Sequence, residues 1–107
     1  MDDAGSDQKL EVNLAYDGNR FVGTYNAKAI SGKGVLGKGV DGLLGFLERV
    51  FDDSPNPIRA VNFVSRGYHV SNPFGLMPPI PRAPQELLET AAVEARERYV
   101  GIEFRVM

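Results

Sequence analysis

Apolar and polar residues alternate along the first part of the chain. Every second residue from Leu10 to Tyr16 is apolar or aromatic, and polar residues occupy most of the positions between them. This period of two is typical of a half-buried strand. The Asp-Gly-Asn segment at 17–19 suits a tight reversal, because these residues tolerate positive φ angles. A second strand over about residues 20–30 therefore completes a predicted β-hairpin.

The spacing of apolar residues then changes to that of a helix. Residues 40–51 carry apolar side chains three and four positions apart, and the proline-containing segment 52–57 ends this first helix. The β-branched and aromatic segment 58–64 predicts a third strand. Pro84 suits the first turn of a second helix. Alternation over 102–106 predicts the last strand.

The resulting order, β-β-α-β-α-β, shows no repeat and no internal linker. It predicts an α+β fold, a single two-layer domain over residues 9–107 with a four-stranded, largely antiparallel sheet and two helices on one face. The polar and acidic residues 1–8 are predicted to form a disordered tail. Residues 71–84 hold five of the seven prolines and predict a proline-rich loop.

Composition removes several classes of function. The 107 residues include twelve Lys and Arg and fourteen Asp and Glu, for a formal net charge of −2. The chain has no cysteine, which excludes disulfides, thiolate metal sites and cysteine nucleophiles. No metal or cofactor is predicted, and no catalytic set is recognisable around the single histidine, His69. No apolar run reaches the roughly 18 residues of a membrane span, so we expect a cytoplasmic protein without a membrane partner.

Glycines dominate the segment 32–39, which follows a predicted strand and precedes a predicted helix. The pattern G-x-G-x-x-G fits it twice in overlapping register, and such loops bring backbone N–H groups close to phosphates. The candidate phosphate-binding glycines are Gly32, Gly34, Gly37 and Gly39. A Walker P-loop is excluded, because Val40 stands where that motif requires lysine. The alternative is a flexible loop beside a tightly packed helix.

Basic residues are concentrated in two stretches that contain no acid, residues 18–40 and 54–85. If these stretches share one side of the sheet, cations beside aromatic rings form a surface for single-stranded nucleic acid or another polyanion. The rings considered for stacking are Tyr25, Phe63 and Tyr68. The alternative is that the cations only solvate outer faces. The candidate anion-binding residues are Arg20, Lys28, Lys33, Lys38, Arg59, Arg66 and Tyr68.

The proline-rich loop is too apolar to be an idle connector. Four of its residues are predicted to pack on this domain or on a second copy of it: Phe74, Leu76, Met77 and Ile80. The loop also contains P-x-x-P, which suits a polyproline II ligand, although a stiff connector is the simpler interpretation. With the alternating last strand, these features predict a homodimer.

Three functional hypotheses follow from these features. The leading one is a small, non-enzymatic binding or assembly module, oligomeric, with a basic surface at the glycine-rich segment. The second is a protein that binds single-stranded nucleic acid or RNA through the candidate cations. The third is a nucleotide- or phosphate-dependent enzyme that uses residues 32–39.

Overall fold

The computed structural model of the protein describes residues 8–27, 30–55, 57–68 and 79–107. These residues form one sheet with strand order β3-β2-β1-β4-β5, together with two helices. The elements are β1 (Gln8–Tyr16), β2 (Arg20–Asn26), β3 (Ser31–Lys38), α1 (Gly39–Asp53), β4 (Ile58–Ser65), α2 (Gln85–Arg98) and β5 (Glu103–Val106). The predicted α+β class and the single domain are confirmed.

The first hairpin forms as the sequence predicts. β1 and β2 pair antiparallel, and Gly18 at the reversal has a φ of 99°, which favours glycine. The Asp17 carboxylate accepts the backbone N–H groups of Arg20 at 2.7 Å and Asn19 at 2.9 Å. These two hydrogen bonds hold the pKa of Asp17 below its ordinary value.

The sheet differs from the expectation in its strand count and its strand directions. It has five strands in the described residues instead of four, since the glycine-rich segment forms β3. Two pairs, β1–β2 and β2–β3, are antiparallel, whereas β1–β4 and β4–β5 are parallel. The parallel pairs arise because each helix carries the chain back to the end of the sheet where the preceding strand began.

Both helices lie on the same face of the sheet and pack against each other. The shared core is formed by the side chains on one side of β1, β2 and β4 and by the helix residues that face the sheet. Its largest fully buried members are Phe21, Phe63, Phe104, Leu10, Leu14, Leu43, Leu44, Leu47, Leu88, Val12 and Val61. Burial of this apolar surface is the main force that holds the two layers together.

Several boundaries differ from the prediction. The second strand, predicted over about residues 20–30, ends at Asn26, and the last strand begins at Glu103 instead of residue 102. Gln8, predicted to end a disordered tail, is buried and begins β1, while residues 1–7 lie outside the described residues. Pro84, predicted as the first residue of the second helix, is the N-cap residue of α2 instead. Neither described helix is long and apolar enough to cross a membrane.

The opposite side of the sheet, here called the outer face, is mostly polar. Register places Lys33, Thr24 and Asn13 in one row across β3, β2 and β1 on this face. The Asn13 amide donates to the Thr24 hydroxyl at 3.2 Å. The side-chain oxygens of Asn13 and Asn62 are buried and have no hydrogen-bond partner. The outer face therefore contains acceptor groups that the described residues leave unsatisfied.

Candidate binding edge at strand β3

β3 is the last strand on one side of the sheet, and the hydrogen-bonded pair Ala27 and Ile30, just before it, shows the direction of its backbone groups. Ala27 and Ile30 exchange two backbone hydrogen bonds, of 2.7 and 3.3 Å. In an antiparallel ladder, hydrogen-bonded pairs alternate with pairs that make no such bonds. The next hydrogen-bonded pairs are therefore Tyr25 with Gly32 and Gly23 with Gly34.

The residues between those pairs direct their backbone groups away from the sheet. Ser31, Lys33 and Val35 pair with β2 at the positions that make no ladder hydrogen bonds. Their N–H and C=O groups thus point outward along the free edge, and their side chains lie on the outer face. Val35 is 56% exposed, an unusual degree for a strand valine. The free edge of β3 therefore presents the unpaired backbone N–H and C=O groups of these three residues, with which another strand could pair.

A groove runs between β3 and α1 on the helix side of the sheet, with a volume of about 310 Å³. Gly32 and Gly34 occupy the positions of β3 that face this side; the Tyr25 ring covers Gly32, whereas the space beside Gly34 is open. The groove is lined by the aromatic and apolar side chains of Tyr25, Ile30, Leu36, Phe46 and Val50 and by Ser31, Lys33, Gly34 and Val35 of β3. Arg49 and Asp53 of α1 also line it.

The glycines of β3 and α1 allow close packing. A Cβ atom at Gly32 would overlap the Tyr25 ring, which lies 4.8 Å from the Phe46 ring. A Cβ atom at Gly37 would lie 2.8 Å from the Gly42 Cα in the first turns of α1. Larger residues at these sites would therefore push the helix away from the edge strand.

The structure corrects the predicted loop conformation of Gly32, Gly34, Gly37 and Gly39, whereas phosphate binding by these residues stays a prediction. Three of the four glycines lie within β3, and Gly39 is the first residue of α1. The N–H groups of Gly32 and Gly34 face β2, and Gly39 donates to the Asn19 carbonyl at 2.8 Å. A phosphate cradle needs free N–H groups, and these three are already paired.

The candidate cations do not form one patch. Arg20 and Lys38 lie directly opposite each other across β2 and β3. Arg66 directly follows β4, at the end of the sheet where β3 also ends. Lys33 lies further along β3, and Arg59 lies near the start of β4, at the other end of the sheet. Arg20, Lys33 and Lys38 are thus associated with the β3 edge, whereas Arg59 is remote from it.

The aromatic rings considered for base stacking do not accompany these cations. Tyr25 packs on Phe46 on the helix side, and Phe63 is fully buried. Tyr68 is half-buried and pairs through its backbone with Ile80, at 2.9 and 2.8 Å. The outer-face positions of the five described strands carry no aromatic side chain. Stacked bases would find no platform there.

Several predicted residues cannot be placed. Lys28 of the basic set, and Phe74, Leu76 and Met77 of the predicted partner surface, lie outside the described residues, as does His69. Ile80 of the partner surface is described and is half-buried in its bridge to Tyr68.

Sequence reasoning missed the groove itself. Its floor combines Tyr25 of β2 with Phe46 and Val50 of α1, residues that sequence patterns assign to a core. The available signal was Gly34, which leaves a strand position on the helix side without a side chain.

The comparisons with known proteins give no information on function. The chain matches no protein-family model, no curated protein and no solved structure. Among the described residues, no group of three or more His, Cys, Asp or Glu side chains could hold a metal ion. The proposed function therefore rests on the β3 edge and its groove.

Proposed function

We propose that this protein is a non-enzymatic binding module that takes an extended peptide segment as a sixth strand along β3. The observation that carries the proposal is the coincidence of two features at one edge. Ser31, Lys33 and Val35 direct unpaired backbone groups outward, and the groove opens on the helix side of the same residues. Strand addition uses such pairs of features, since main-chain bonds give affinity and pockets for alternate side chains give specificity.

The groove suits the side chains of an added strand. Residues of that strand opposite Gly32 and Gly34 would point their side chains to the helix side, as in any antiparallel or parallel pairing. There they would meet the rings of Tyr25 and Phe46. The neighbouring residues of the added strand would point to the outer face, beside Lys33 and Val35.

The other edge of the sheet is less suited to pairing. β5 has four residues, and its exposed Glu103 and Arg105 form an ion pair on the strand. Short edge strands that carry charges resist edge-to-edge contact. The homodimer predicted from residues 102–106 therefore stays a prediction, which sedimentation equilibrium of the whole chain tests.

Proline substitutions on β3 test strand addition. Ser31→Pro combined with Lys33→Pro removes two outward N–H donors and no ladder bond to β2. The matched control, Ser31→Ala with Lys33→Ala, loses the same side chains and keeps both donors. The probes are peptides of about ten residues, selected from a random phage-displayed library on the wild-type protein. We expect them to bind the proline pair about thirtyfold more weakly than the alanine pair, since the two lost hydrogen bonds contribute about 1 kcal/mol each.

Amide NMR spectra of both variants verify that the fold is kept. Equal binding to the proline and alanine pairs would overturn the proposal, because backbone pairing would then contribute nothing. Failure of the library to yield any binding peptide would also overturn it.

A further inference from the structure

The charges around β3 indicate the chemistry of the peptide segment that this strand binds. This inference rests on the proposed function. Lys33 and Lys38 lie on the strand itself, and Arg20 lies opposite Lys38 on β2. The stretch from residue 18 to residue 40 contains no acid. Asp53, at the far end of the groove, is the one carboxylate that lines it in the described part of the chain.

Arg20 and Lys38 form a like-charge pair, which the Asp17 carboxylate beside Arg20 offsets in part. They are direct cross-strand partners, and like charges in that position destabilise a sheet. Lys38 forms no ion pair with any described carboxylate, nor does Lys33. A carboxylate placed beside either site would gain attraction without breaking an existing contact.

Self-pairing does not supply that carboxylate. If two copies joined their β3 edges about a two-fold axis with the greatest overlap of Ser31, Lys33 and Val35, then Lys33 would face Lys33 of the other copy. Directly opposed like charges disfavour this pairing. The occupant that the edge fits is therefore a segment of a different protein with the opposite charge.

We infer that β3 binds an extended acidic peptide in which carboxylate and apolar side chains alternate. The carboxylates lie on the outer face, opposite Lys33 and toward Lys38. The apolar side chains lie on the helix side, where they enter the groove beside Gly34 and contact the Tyr25 ring that covers Gly32. Alternation is required because successive side chains of a strand point to opposite faces. Nucleic acid fits less well, since a sugar-phosphate backbone cannot continue a β-ladder and the outer face of the described strands offers no aromatic platform.

Synthetic peptides of about eight residues test this inference by fluorescence anisotropy. The probes are alternating Val-Glu, Val-Gln and Val-Lys peptides with a dye at one end. We expect the wild-type protein to bind the Val-Glu peptide about fivefold more tightly than the Val-Gln peptide at low salt, as for two partly exposed ion pairs. The preference should vanish near 1 M salt, where charges are screened over about 3 Å.

Charge reversal on the strand gives the matched variants. Lys33→Glu with Lys38→Glu should abolish the preference for Val-Glu and favour Val-Lys. Lys9→Glu changes an exposed residue of the central strand β1, away from the edge. It should change each affinity by less than about twofold, because its charge lies beyond the direct pairs.

The outcomes separate this inference from the proposed function. Equal binding of Val-Glu and Val-Gln peptides, both weakened in the proline pair, would overturn the acidic preference and leave strand addition in place. A Val-Glu affinity unaffected by the proline pair would overturn strand addition. Binding of an oligothymidylate as tight as that of the Val-Glu peptide would overturn the peptide specificity.

Discussion

Replacing Phe63 with alanine is expected to lower the free energy of unfolding by about 4 kcal/mol. Phe63 lies in β4, the strand between β1 and β5, and its side chain has no exposed surface. Its ring lies 6.1 Å from that of Phe104 in β5. Alanine would remove the ring and leave a cavity that the surrounding strands and helices fill only in part. Chemical denaturation followed by circular dichroism measures the change.

The neighbouring residue provides the control for this prediction. Val64 points to the outer face and is half-buried, so Val64→Ala should cost about 1 kcal/mol. A domain of this size has a total stability of about 5–15 kcal/mol, so the two variants are easily told apart. Similar losses for both substitutions would contradict the assignment of Phe63 to the core side of the sheet.

Replacing Gly42 with alanine is expected to destabilise the protein by about 3 kcal/mol, although alanine is the better helix former. The added Cβ atom would lie 2.7 Å from the Gly37 Cα of β3 and closer still to the Gly37 carbonyl carbon. Both atoms belong to the backbone, so relief requires α1 to move away from the edge strand. That movement would also disturb the groove.

Gly45 in the same helix gives a control of opposite sign. A Cβ atom there would meet nothing within 4 Å, so Gly45→Ala should stabilise the protein by about 0.5–1 kcal/mol. Thermal unfolding of the two variants measures the difference directly. A stabilising Gly42→Ala would show that α1 does not pack on β3 as described, and the glycine-rich segment would again be open to a loop interpretation.

The sequence predicts those elements of the fold in which side chains show a clear pattern of apolar and polar positions. The alternation from Leu10 to Tyr16 shows which side of β1 is buried, and the turn at Gly18 is predicted by its residue types. β3 was not predicted as a strand for two reasons. Glycine has no side chain that could show a period of two, and its intrinsic preference for strands is low. Gly32 and Gly34 are held in β3 by the ladder to β2 and by Tyr25, which are tertiary features.

The charges of the candidate site could be predicted from the sequence, whereas its geometry could not. The acid-free stretch containing Arg20, Lys33 and Lys38 is visible in the sequence; Lys33 and Lys38 lie on β3, and Arg20 lies opposite Lys38 on β2. The groove depends on the position of α1 against β3, and the outward backbone groups depend on the register between β2 and β3. Neither quantity follows from residue types alone.

Residue-resolved amide hydrogen exchange over residues 31–35 tests the central claim most directly. The account predicts an alternating pattern in the free protein. The amides of Gly32 and Gly34, bonded to β2, should exchange slowly, while those of Ser31, Lys33 and Val35 should exchange at nearly the rate of an unstructured chain. Adding the Val-Glu peptide should slow the second group alone. Uniformly fast exchange of all five amides, or slow exchange of Lys33 before any peptide is added, would contradict the open edge strand.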